Sequence, residues 1–153
     1  MIDPRRKLSP HFTLGEMVWT VHRTIDNTPP PEAIEQMVIL CRNFLEPVRA
    51  QFGALSISSG YRCAPLNRLI KGSKYSAHLA GCAADFVCGD EVADVVAWVA
   101  SSSLDYDQVI DERNAGGGGW VHLGLARPGA QPRREALTMR VVAGKRTYAP
   151  FRA

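Results

Sequence analysis

Between Ile34 and Phe52 the apolar residues Ile34, Met37, Val38, Cys41, Leu45, Val48 and Phe52 recur at steps of three and four. That spacing lays one apolar stripe along a helix. Thr28 supplies an N-cap, Pro29 the first helical position and Gly53 a stop. Pro47 falls inside the pattern and is expected to kink or split the helix. Upstream, Thr13-Leu-Gly-Glu16 has the spacing of a capping box and predicts a short helix. Downstream, "DEVADVVAWVASSS" opens on Asp90 as N-cap and carries Val92, Val95, Val96 and Val99 on a helical period.

Other stretches are shorter and richer in β-formers. "LSISSGYR", "AADFVC", "DQVIDE" and "WVHLGLA" read as strands, and "APLNRLIKG" as a helical turn closed by Gly72. The loop "NAGGGG", Asn114 to Gly119, joins the third and fourth strands as a hairpin. "LTMRVVAGKRTYAPF" reads as a terminal hairpin, residues 136–150, turning near Gly144. Helices lead and short strands follow with one helix among them. The predicted class is α+β, a small, largely antiparallel sheet with helices packed on it, in a single domain over 1–153.

Composition narrows the function. Of 153 residues 46% are hydrophobic and 22% charged, which suits one soluble core. The net charge of +3 fits an anionic partner such as a wall polymer, a membrane surface or nucleic acid without choosing among them, and no block of five or six basic residues marks a nucleic-acid binder. No run of 18 apolar residues spans a membrane, and the N-terminus carries no secretory pattern. Four cysteines without a CxxC are expected as free thiols rather than a zinc knuckle.

The chemistry concentrates in two places. "SAHLAGCAAD" sets His78 and Asp85 seven residues apart with small residues between, and Gly81 can turn the chain there. In "GWVHLGL" strand alternation puts Val121, Leu123 and Leu125 on a core face and His122, with Trp120 and Gly124, on the other. Two imidazoles and a carboxylate are the three-ligand set of a catalytic zinc site. Taken singly, each histidine is better explained as a hydrogen-bonded structural residue than as a ligand.

The order SGYR, LN, SxHxxGxAxD and WVH, within "SSGYRCAPLNRLIKGSKYSAHLAGCAADF", "DQVIDE" and "WVHLGL", resembles the zinc D-alanyl-D-alanine carboxypeptidase family of peptidoglycan peptidases. Compact phage and prophage endolysin-type members are most similar, over about residues 8–126. The resemblance implies Zn2+ held by His78, Asp85 and His122. It implies that Arg62 acts in catalysis and holds substrate, and that Ser76 lies beside substrate. Trp120 reads as a groove wall or, equally, as a half-buried strand aromatic. Branches of that family place a histidine or glutamate three residues before the last zinc histidine, where this chain has Gly119. The general base therefore falls to Glu112, with Asp111 as competitor.

The expected function is zinc-dependent hydrolysis of peptidoglycan stem peptides or cross-links, as carboxypeptidase or endopeptidase. The expected setting is phage lysis: a monomer held in the host cytoplasm and then acting on the cell wall, or one carried on the virion. The alternative is a catalytically inactive, zinc-stabilised wall-binding domain.

Overall fold

A computed structural model of the protein describes residues 2–152. The first helix, α1, is Leu14–Val18, and its capping box is complete. The Glu16 N–H donates to Thr13 Oγ1 at 3.3 Å, and the Thr13 N–H donates to the Glu16 carboxylate at 2.8 Å.

The second helix, α2, spans Pro31–Leu40. It starts later than a Thr28 cap predicts. Pro29, Pro30 and Pro31 follow one another, and a residue before proline is driven out of the helical region. Pro30 is consequently the N-cap, extended and without a side-chain bond. The kink expected at Pro47 is a widened π-helical turn, Cys41–Leu45, leading into α3, Glu46–Phe52. There the Glu46 N–H reaches back five residues to the Cys41 carbonyl, just ahead of the proline that cannot donate. Gly53, at φ +80°, ends α3 as expected. Short α4 is Ala64–Leu69, and α5 is Val92–Ser101, capped by Glu91 rather than Asp90.

Six strands form one sheet: β1 Ser56–Ser59, β2 Ala83–Val87, β3 Tyr106–Arg113, β4 Gly119–Leu125, β5 Glu135–Val142 and β6 Lys145–Pro150. Their order is β1-β2-β4-β3-β5-β6, and every neighbouring pair is antiparallel except β3–β5. The predicted α+β class and mostly antiparallel sheet are what the chain adopts. One face of the sheet packs Phe86, Val109, Val121 and Leu123 against Val95, Val96 and Val99 of α5 and Met37 and Leu40 of α2. All four cysteines are free. Burial pushes the Cys41 thiol up to about 12, so it serves as a small apolar side chain.

The terminal hairpin does more than extend the tail. β5 lies parallel to β3, so β5 and β6 widen the sheet by two strands. Asp111, 2% exposed, fastens this addition. Its carboxylate accepts from Arg113 Nε at 2.9 Å and from Arg140 Nη2 of β5 at 2.7 Å. Both arginines reach water, so Asp111→Ala should cost about 2 kcal/mol, below the 3–5 of a fully buried pair. Urea unfolding measures this, and an unchanged midpoint would show that the tie carries no stability.

Candidate metal centre

Cross-strand register builds the first half of the site. Asp85 of β2 stands directly opposite His122 of β4, so their side chains rise together from the sheet face away from the helices. His78 arrives from a 3-10 turn, Ala77–Ala80, that precedes β2. Gly81 follows at φ +72°, and a Cβ there would lie 2.4 Å from the Ala33 carbonyl oxygen of α2. Only glycine both adopts that backbone and allows α2 so close. The seven-residue gap between His78 and Asp85 is thus one tight turn plus the entry to a strand.

Three donor atoms converge. His122 Nδ1 lies 2.8 Å from Asp85 Oδ1. His78 Nε2 lies 3.2 Å from the same oxygen and 3.3 Å from His122 Nδ1. A tetrahedral zinc with bonds of about 2.0–2.1 Å has ligand–ligand edges of about 3.3 Å. The triangle and its nitrogen and oxygen donors therefore fit one face of such a site.

Neighbouring groups set the chemistry of these donors. The ring Nδ1–H of His78 donates to the Gly60 carbonyl at 2.6 Å, which leaves Nε2 as the bare nitrogen. Burial lowers the pKa of His78 against the pull of Asp85, favouring neutral imidazole, the metal-binding form. Burial works to raise Asp85, but His78 and His122 beside it hold the carboxyl well below its usual range.

Arg62, expected to hold substrate, is fixed within the site. Its Nη2 donates to Asp85 Oδ2 at 2.5 Å and its Nε to Ser59 Oγ at 2.8 Å. Ser59 is paired with Asp85 in the sheet. The guanidinium thereby engages the outer carboxylate oxygen and leaves Oδ1 for an ion.

The Gly60 carbonyl was invisible in the sequence, because a backbone acceptor has no side-chain signature. Its position is set by space. A Cβ on Gly60 would lie 2.3 Å from the Met17 carbonyl oxygen. Gly60→Ala should destabilise the fold by about 1–3 kcal/mol through overpacking. It should also weaken zinc about 10–100-fold by shifting the acceptor of His78. Thermal unfolding and zinc competition read the two effects. Wild-type zinc affinity in a folded variant would remove the carbonyl from the site's support.

A cavity of about 790 Å³ opens over the triangle, and Arg62, Ser76, His78, Asp85, Glu112 and His122 are in its wall. Glu112 is two residues along β3 from Ile110, which pairs with His122, so Glu112 shares the face of His122. Burial raises its carboxyl pKa, and Asp85 adds to the effect. Asp111 lies on the opposite face with Arg113 and Arg140. Ser76 contributes its carbonyl to Arg127 Nη2 at 2.7 Å. Trp120 is half-buried opposite Glu112 and is not among the residues of the cavity wall. At that end the wall is built by Glu112 with Arg146 and Tyr148 of the terminal hairpin. Gly119 pairs with Arg113, and a Cβ on it would meet the Arg113 side chain, on the face away from His122.

Two buried imidazoles and a carboxylate at the floor of an open cavity, with a second carboxyl in its wall, have the composition of a catalytic zinc centre. The sequence model of the Peptidase M15 family matches residues 10–123, which include all three donors. The chain belongs to that family, whose members are zinc-dependent metallopeptidases. No curated protein matches it. No helix among the described residues is long and apolar enough to cross a membrane.

Proposed function

We propose that this chain hydrolyses peptide bonds in peptidoglycan stem peptides or their cross-links. The observation that carries the reading is the joint presence, in one open cavity, of the donor triangle and Glu112. His78 Nε2, Asp85 Oδ1 and His122 Nδ1 would hold the ion. Bound zinc supplies a Lewis acid that polarises a carbonyl and makes water acidic.

Glu112 takes the proton of the attacking water and returns it to the departing amine. Burial, with Asp85 adding to it, raises its pKa in the metal-free chain. Arg62 fixes Asp85 through Nε and Nη2. Its remaining nitrogen, Nη1, has no hydrogen-bond partner among the described residues and is assigned to a substrate oxygen. Ser76 is assigned to the substrate backbone at the same rim. The motif order supports a wall-degrading enzyme of the endolysin type.

Two probes separate the forms of this activity: a synthetic stem pentapeptide ending in D-Ala-D-Ala, and purified cross-linked muropeptide dimers. Zinc-loaded protein is incubated with each and the products read by mass spectrometry. Released alanine identifies a carboxypeptidase, and dimers converted to monomers identify an endopeptidase. Intact probes from several wall chemistries, with zinc bound, would overturn the reading in favour of a wall-binding domain.

A further inference from the structure

The cations of the cavity wall differ in how they are engaged. Arg62 is held by Asp85 and Ser59. Arg133 grips Asp107, with contacts of 2.6–3.2 Å, and lies 3.4 Å from Glu135. Arg127 uses Nη2 on the carbonyls of Tyr75 and Ser76. Arg146 is exposed and makes no ion pair with a carboxylate among the described residues, and its side chain lies within hydrogen-bonding reach of the Tyr148 hydroxyl.

Arg146 is also placed deliberately with respect to the reaction. Register carries one face across the sheet from Asp85 to His122, to Ile110 and Glu112, to Leu137 and Met139, and then to Tyr148. Arg146, two residues before Tyr148 on β6, shares that face. The positive charge is near enough to Glu112 to oppose the rise in its pKa. Three strand spacings separate β4 from β6, about 14 Å in all. An extended peptide advances about 3.3 Å per residue. Allowing for the reach of an arginine, a group held by Arg146 lies two to three residues from the bond at the metal.

The hairpin that carries Arg146 and Tyr148 falls outside the matched family region, residues 10–123.

We infer that Arg146, with Tyr148 beside it, forms a subsite for a carboxylate of the substrate two to three residues from the scissile bond. The inference rests on the peptidase reading for the identity of the substrate. A guanidinium offers such a carboxylate two parallel donors, and the Tyr148 hydroxyl can add a third. A terminal carboxylate next to the cleaved bond would lie too close to the metal for this position.

The test pairs two enzymes with two peptides. One peptide is a stem peptide with γ-linked D-glutamate carrying its free α-carboxylate; the other has that carboxylate amidated. Binding is titrated calorimetrically to zinc-loaded Glu112→Gln protein, so that nothing is cut, and to the same protein with Arg146→Ala or Arg146→Lys. The acid should bind about tenfold more tightly than the amide, the scale of one hydrogen bond to a charged group. That preference should vanish with Arg146→Ala and survive in part with Arg146→Lys. An undiminished preference in Arg146→Ala, no preference at all, or no binding of either peptide would overturn the subsite.

Hydrolysis by the parent enzyme is read separately. A lost preference without hydrolysis leaves the subsite and sinks the peptidase reading. Hydrolysis with an undiminished preference does the reverse.

Discussion

Replacing His122 by alanine should cost the protein its stoichiometric zinc and its activity together. Three atoms make the donor triangle, and His122 supplies one corner at 2.8 Å and 3.3 Å from the other two. Removing it leaves one imidazole and one carboxylate, too few ligands for a catalytic zinc site, which takes three from the protein. Losing a single electrostatic stabiliser already costs about a hundred- to a thousandfold in turnover. Losing the ion should cost at least a thousandfold on that scale. The strand should survive, because Val121 and Leu123, not His122, fill the core on either side. Metal analysis after dialysis, circular dichroism and product release check the three parts. One tightly held zinc per folded variant chain would show that the ion sits elsewhere.

Glu112→Gln should give the opposite combination, zinc retained and turnover lost. Glutamine keeps the shape and cannot take a proton, and removing a general base costs about a hundred- to ten-thousandfold. The pH profile sharpens this. The base works as the carboxylate, so activity is present above its pKa and disappears as pH falls through it. Burial and Asp85 raise that pKa in the metal-free chain. The Glu112 midpoint in the metal-free chain should therefore lie above the ordinary glutamate value of about 4.3. A bound dication draws it back down. The acid limb of kcat/KM should follow Glu112 and be absent from the residual activity of the glutamine variant. Wild-type turnover in that variant would transfer the role to another group.

The readability of this chain divides by distance along the sequence. Local patterns were legible: the Thr13–Glu16 box, the Gly53 stop, the two strands around the glycine loop, and the alternation that sets His122 apart from Val121 and Leu123. Pro47 announced a disturbed helix, though a π-turn rather than a break absorbs it. The three consecutive prolines were on the page, yet their joint effect on the start of α2 depends on each residue restricting its predecessor.

What escaped the sequence arises from pairing. Nothing local says that β5 will lie parallel to β3, so nothing local brings Arg146 and Tyr148 to the cavity of Glu112. The same holds for Arg62. Its motif suggested a substrate anchor, while its bond to Asp85 depends on Ser59 and Asp85 meeting across β1 and β2. Trp120 shares the strand face of His122 without joining the cavity wall, so its place also depends on what packs around it.

The most direct test of the account is a zinc titration of metal-free wild-type protein, with peptide release from purified sacculi followed at each addition. The account predicts a rate that rises linearly with zinc and levels off at one equivalent per chain. A protein that binds its equivalent of zinc and releases nothing, from any of several wall types, would contradict it.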